Sequence, residues 1–235
     1  MNKKLLDQSS CEYESWGHED ARIFKGNLYF IINHNLNVKV VNTRAGDTKT
    51  PEFLKMNPQH TVPTLDDYGF YLWESRAIMI YLVNKYGRRD DPLYPRDAKL
   101  RAMVESRLYF DAATLYPALT KCYYPILMGN QTEPNPEDLQ KAKDAFDIIN
   151  GFLENTEYVG GNTFSIADIS LLVTVTGFHL FQFDLTPYER VSKWFNKAKE
   201  ICPGYDDILL RSFDMVKELY GKNIKGGSAV PTPAT

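Results

Sequence analysis

Apolar and polar positions change their period along the chain. From Leu36 to Val41 they alternate as Leu-Asn-Val-Lys-Val-Val, which predicts a strand with one face on a core. Thr50-Pro-Glu-Phe-Leu-Lys-Met predicts a short helix, with Thr50 as cap and Pro51 in a first turn that tolerates a missing donor. Asn57-Pro58 ends it. Thr61–Leu65 and Phe70–Trp73 predict a hairpin around the turn-rich spacer Asp66-Asp67-Tyr68-Gly69. Glu74-Ser75 then opens an apolar helix that ends near Gly87. The order is strand, helix, strand, strand, helix.

Beyond residue 96 the period becomes helical. One helix is predicted from Ala98 to about Leu127 and a second over Glu137–Leu153. A third starts after Ser165, a fourth covers Pro187–Ile201 and a fifth covers Tyr205–Tyr220. Arg88-Arg-Asp-Asp-Pro-Leu-Tyr-Pro95 has two prolines and four charges and reads as a linker. The expected division is an atypical segment over 1–34 with room for an irregular first strand and helix, a mixed domain over 35–87, a linker over 88–95, an all-helical domain over 96–222 and a disordered tail over 223–235.

Composition narrows the class. Hydrophobic residues make up 43% of 235 and charged residues 24%, the usage of a globular chain rather than a disordered one. A formal charge of −3 argues against a nucleic-acid partner. No apolar run approaches the ~20 residues of a membrane helix, and the first residues turn polar before a signal core can form. Cys11, Cys122 and Cys202 lie far apart and suggest neither disulfides nor a zinc pattern. His18, His34 and His179 have no ligand-like spacing, so no metal is expected. The expectation is a reduced, cytoplasmic protein.

Four constellations carry chemistry. In Asn57-Pro-Gln-His-Thr-Val-Pro-Thr-Leu65, Pro63 begins an apparent strand but cannot donate to a ladder. A cis Val62–Pro63 bond would offer the Val62 N–H and C=O to an extended peptide ligand, with His60 near a carboxylate; a trans bond would leave a plain loop. In Trp73-Glu74-Ser75-Arg76, a helix start and a hydroxyl favour a carboxylate, and Glu74 favours an ammonium. The pair suits an amino-acid head group, or simply an ordinary cap with Ser75 at its centre. Ser165-Ile-Ala-Asp168 fits a capping box and reads as structural. Tyr109, Tyr116 and Tyr123 recur every seven residues and are expected on one helical face, either as core or as the wall of a pocket for flat apolar molecules.

Together these segments resemble the cytosolic glutathione transferases, most of all the delta/epsilon class typical of insects. The likeness rests on Pro51–Leu65, Leu72-Trp-Glu-Ser-Arg-Ala-Ile-Met-Ile-Tyr-Leu82, Leu93-Tyr-Pro95, Arg107-Leu-Tyr-Phe-Asp111 and Ser165-Ile-Ala-Asp168, in that order. The resemblance implies an α/β plus all-α architecture, a thioredoxin-like N-terminal domain followed by an all-helical C-terminal domain. It implies that Pro63 is cis and that His60, Thr61, Val62, Pro63, Glu74, Ser75 and Arg76 form the glutathione site. It implies that Tyr109, Tyr116, Tyr123 and Phe213 line the pocket for a hydrophobic electrophile, and that the chain works as a homodimer with glutathione as co-substrate and no metal. The implied activity is conjugation of the glutathione thiolate to apolar electrophiles. In this class a serine after the first strand, before a Pro-Cys-Arg step, assists the thiolate. Residues 1–34 lack that pattern, and Ser10 and Ser15 are the candidates left. The same departure favours the alternative of a non-catalytic, transferase-like binding protein.

Overall fold

The computed structural model describes residues 11–15, 36–43, 45–202 and 205. The chain forms two compact units, Met1–Asp91 and Pro92–Thr235.

The first unit is built on a four-stranded sheet. Its strands are β1 (Cys11–Ser15), β2 (Leu36–Val40), β3 (Thr64–Asp67) and β4 (Phe70–Trp73), in the order β2-β1-β3-β4. β1 runs parallel to β2, with Cys11 opposite Leu36, and antiparallel to β3, with Glu14 opposite Thr64. β3 and β4 form the hairpin, with Thr64 opposite Trp73. The segment expected to be atypical therefore supplies an interior strand. Cys-Glu-Tyr-Glu-Ser alternates, but glutamate is depleted in strands, so the pattern is faint without its partners.

Helix α1 (Pro51–Met56) begins as the sequence suggests. Thr50 Oγ1 accepts from the Phe53 N–H at 3.3 Å, Pro51 fills the first turn, and Phe53 is buried. Helix α2 (Ser75–Tyr86) follows β4 and buries Ile78, Met79, Leu82 and Val83.

The hairpin differs from expectation. The turn is only Tyr68 and Gly69, both left-handed, with φ of 55° and 85°. Two such residues match the twist of the flanking strands. Asp66 and Asp67 consequently belong to β3, and Thr61–Pro63 lie before it. Asp66 Oδ1 accepts the Gly69 N–H at 2.7 Å and closes the turn. Asp67 is buried, and its carboxylate accepts from Tyr81 Oη and Lys85 Nζ at 2.5 Å and from Tyr86 Oη at 2.8 and 2.9 Å. Burial alone would raise this carboxyl. The bonds from Lys85, Tyr81 and Tyr86, with the Lys85 charge, outweigh it and hold the group below its ordinary value. The same bonds pin the hairpin to the last turns of α2.

The second unit is helical: α3 (Ala98–Phe110), α4 (Tyr116–Leu127), α5 (Pro136–Phe152), α6 (Ile166–Leu180) and α7 (Glu189–Ile201). Helix α6 is buried on every side except at His179, the mark of a central helix. Phe146, Phe178, Phe183 and Tyr188 form an aromatic cluster beside it, with Phe146 stacked on Phe183 at 4.6 Å. Asp168 starts the helix. One of its oxygens accepts the Ser165 N–H and hydroxyl, the other the Val159 N–H and Trp194 Nε1, all at 2.9 Å. Burial pushes this carboxyl up, while the four donors pull the other way.

The single helix expected from Ala98 to Leu127 is interrupted by a π turn over Asp111–Leu115. The Tyr116 N–H reaches back five residues to the Asp111 carbonyl. Pro117 follows and has no N–H to continue the ladder. The buried Asp111 carboxylate accepts from Ser170 Oγ at 2.5 Å and Thr174 Oγ1 at 2.8 Å, which ties the turn to α6. The fifth helix expected over Tyr205–Tyr220 lies outside the described residues except for Tyr205, whose Oη is 3.1 Å from Thr176 Oγ1. The tail over 223–235 also lies outside them.

Two predictions follow from these buried carboxylates. Asp168→Ala leaves four donors without their acceptor and should cost about 3 kcal/mol, read as a lower Tm and urea midpoint; an unchanged midpoint would refute the role. For Asp67 the folded value lies below the ordinary 3.8, so its stabilisation is present above that value and fades as the pH falls through it. Asp67→Asn should therefore be less stable at neutral pH and show a flatter loss of stability below about pH 4. Parallel acid-unfolding curves for variant and wild type would contradict this.

Candidate functional site

Sheet register brings the two sequence constellations together. Thr64 pairs with Trp73, so Pro63 and Glu74 lie one step beyond the last pair, at the same end of the hairpin. Val62 and Ser75 follow one step further. β1 obeys the same geometry. Glu14 pairs with Thr64, which brings the backbone of Ser15 opposite Pro63. A chain bend, a helix start and the end of an interior strand thus meet at one edge of the sheet.

The bend has a defined shape. The Val62–Pro63 peptide is cis. His60 is left-handed at φ 47°, exposed, and its N–H bonds the Asn57 carbonyl at 2.9 Å. Val62 and Pro63 are buried and Thr61 is half-buried. Among the described residues, neither the N–H nor the C=O of Val62 has a hydrogen-bond partner. Backbone groups at buried positions are nearly always paired, so this edge is suited to an incoming strand-like ligand.

Asn57 builds the bend from inside. It is fully buried. Its Nδ2 donates to Thr61 O at 2.8 Å, Thr64 Oγ1 at 2.9 Å and Thr61 Oγ1 at 3.1 Å, and its Oδ1 accepts the Gln59 N–H at 2.9 Å. In the sequence Asn57 reads as a helix stop, and Thr61 and Thr64, small hydroxyl residues four and seven positions on, are the signal of its second role.

The helix start is equally specific. Glu74, not Ser75, occupies the cap position of α2, and its side chain makes no capping bond. Its backbone is at φ 70°, ψ 106°, a sparsely populated region for a residue with a side chain. Glu74 is exposed, and Ser75, the first helical residue, is only 2% exposed. Arg76 Nη1 lies 3.5 Å from Ser75 Oγ and uses it as an acceptor, which leaves the hydroxyl hydrogen for another partner. The uncapped N–H groups of the first turn and the Ser75 hydroxyl together favour an anion, and the Glu74 carboxylate favours a cation.

The tyrosines do not form one stripe. Tyr109 is 72% exposed, Tyr116 is half-buried and Tyr123 is 3% exposed. The expected common face breaks because the π turn inserts a residue between Tyr109 and Tyr116 and rotates the helix by about 100°. Tyr123 stacks on Phe181 at 4.5 Å and meets the edge of Phe178. It lines a groove of about 700 Å³ with Phe181, Phe183 and Tyr188, and neither Tyr109 nor Tyr116 lines that groove. Phe213 and Ser10 lie outside the described residues. Among the described residues no group of histidine, cysteine and carboxylate side chains is arranged to hold a metal, and no helix is long and apolar enough to cross a membrane.

Burial pushes the Cys122 thiol up to about 11 and the Cys202 thiol to about 12. Both are therefore thiols rather than nucleophilic thiolates near neutral pH.

Comparison with known proteins shows the family. Residues 23–84 match the glutathione S-transferase N-terminal domain, and residues 103–200 match the C-terminal domain. The chain is 47% identical to glutathione S-transferase D7 of Drosophila melanogaster over 174 residues, 74% of this chain and 77% of that protein. A delta-class glutathione transferase of Nilaparvata lugens superposes with a TM-score of 0.83 at 35% identity, covering 90% of this chain and 99% of that one. The Bombyx mori glutathione transferase BmGSTD1 gives 0.83 at 36% identity, covering 89% and 97%. With both domain patterns present in order and a relative 47% identical over 74% of the chain, the chain belongs to the glutathione S-transferase family.

Proposed function

We propose that this protein joins the thiolate of glutathione to apolar electrophiles, and that His60, Thr61, Val62, Pro63, Glu74, Ser75 and Arg76 hold the tripeptide. The observation that carries this reading is that the Val62 N–H and C=O have no partner among the described residues and follow the same end of the hairpin as the start of α2, which has no side-chain cap. The cysteinyl part of glutathione pairs with Val62 as a short added strand. The γ-glutamyl carboxylate meets the Ser75 hydroxyl and the first-turn N–H groups, and its ammonium meets Glu74. The exposed His60 faces the glycyl carboxylate. These assignments place the glutathione-binding function in residues 35–87 and the electrophile-binding function in the helical part, 96–222.

The chemistry requires little beyond ionisation and alignment. A free thiol has a pKa of about 8.5, so only a minor fraction is thiolate at neutral pH. A hydrogen-bond donor favours the thiolate and lowers that value. The sulfur electron pair then forms the carbon–sulfur bond, the leaving group departs with its own pair, and the thiol proton passes to solvent. Fixing both reactants converts a bimolecular step into an intramolecular one. We assign the thiolate partner to Ser15, because the β1–β3 register supports it. The electrophile is assigned to Tyr109, Tyr116 and Tyr123, the first two flanking a π turn of the kind that concentrates at functional sites, with Phe213 as the further residue the family resemblance implies. The working form is a cytoplasmic homodimer. The exposed aromatics Tyr68, Phe70 and Tyr71 on the hairpin are the surface assigned to the second copy.

Calorimetry with glutathione and a conjugation assay on a chloronitrobenzene separate this reading from a binder without turnover. Binding with turnover is the expected result, and binding alone would favour the non-catalytic alternative. Ser75→Ala and His60→Ala should each weaken glutathione binding about tenfold, the loss of one hydrogen bond to a charged group. Ser165→Ala should lower Tm and leave that affinity unchanged; an exchange of these phenotypes would reverse the assignments. Ser15→Ala should lower kcat by about 10²-fold with little change in glutathione affinity. A wild-type kcat would remove Ser15 from the mechanism.

A further inference from the structure

We propose that Asn57 and Thr64 are positioning residues for glutathione, acting through the Thr61–Val62 peptide; this rests on the assignment of Val62 to the ligand. The Thr61 carbonyl accepts two bonds from inside the unit, from Asn57 Nδ2 at 2.8 Å and from Thr64 Oγ1 at 2.9 Å. Asn57 Nδ2 also donates to Thr64 Oγ1 at 2.9 Å, so the three groups form a closed triangle. Thr64 and Asn57 are both buried, at 1% and 0% exposure. The Thr61 carbonyl and the Asn57 and Thr64 side chains thus each meet a partner within the triangle.

The consequence follows from peptide geometry. Among the described residues the Val62–Pro63 bond alone is cis, so the Thr61–Val62 peptide is trans and planar. Its N–H points opposite to its C=O. Two bonds that draw the Thr61 carbonyl inward therefore aim the Val62 N–H away from Asn57, on the side where it has no partner among the described residues. Without the triangle this peptide plane is free to rotate about its flanking bonds. The donor would then have to be oriented at the moment of binding, which weakens affinity. Asn57 and Thr64 touch no ligand in this arrangement. They set the direction of the group that does.

Thr64→Val tests this, because it keeps the branched shape suited to β3 and removes only the hydroxyl. The expected result is a glutathione Kd and KM raised at least about fivefold, with kcat at saturation and the electrophile KM unchanged. Thr64→Ser retains the hydroxyl and should restore wild-type affinity. Asn57→Asp removes all three donated bonds and should raise the glutathione KM further. If Asn57→Asp does not fold, the Thr64 pair decides. A purely structural role would lower Tm in Thr64→Val and leave glutathione Kd at the wild-type value, and that outcome overturns the proposal. Absence of glutathione binding by the wild type would instead overturn the assignment of the site, and this inference with it.

Discussion

One register governs the first unit. Because Thr64 pairs with Trp73 in the hairpin and with Glu14 across the sheet, the bend at Val62–Pro63, the start of α2 and the end of β1 all emerge at one edge. A slip of one residue would turn each side chain of β3 to the opposite face. It would bring the buried Asp67 to the surface and carry Thr64 away from Asn57. The register is therefore held at both ends of β3. At one end Asp67 is bound by Tyr81, Lys85 and Tyr86, and at the other Thr64 is bound by Asn57. The donor and acceptor groups of the proposed glutathione site inherit their spacing from this double anchor.

The helical unit solves a different problem by similar means. A central helix buried nearly all round needs its polar atoms satisfied inside the core. Asp168 does this at the first turn of α6. Asp111 does it one turn further along, where it accepts from Ser170 and Thr174. Each carboxylate gathers donors from segments distant in sequence, so each is a tie between elements as well as a cap or a turn. The Asp111 tie coincides with the π turn that sets Tyr109 and Tyr116 on different faces. A packing requirement of the core and the placement of the tyrosines assigned to the electrophile thus share one residue.

The signals that carried furthest in the sequence were local. Thr50-Pro51 started α1 where it should, because a cap and its N–H lie three residues apart. Ser165 and Asp168 formed their capping box for the same reason. Signals that depended on distant partners misled. Asp66-Asp67 reads as a turn, but Asp67 enters the core because its three partners lie 14 to 19 residues later on α2. The heptad spacing of the tyrosines failed to give one stripe, with Tyr109 exposed, Tyr116 half-buried and Tyr123 buried, and the π turn between the first two leaves no mark in periodicity beyond the proline that follows it. β1 was faint because two glutamates in five residues suppress strand preference.

By itself the sequence determined the alternation of short elements followed by helices, the local caps, and the ordered motifs that carry the family likeness. These depend on neighbours within a few residues, where covalent geometry and hydrogen-bond reach leave few choices. Only the tertiary structure decided that Ser15, Pro63 and Glu74 share an edge, that Asn57 closes on Thr61 and Thr64, and that Asp67 is buried. Each of these joins groups whose meeting depends on sheet register and burial, and neither quantity is a property of any single stretch of chain.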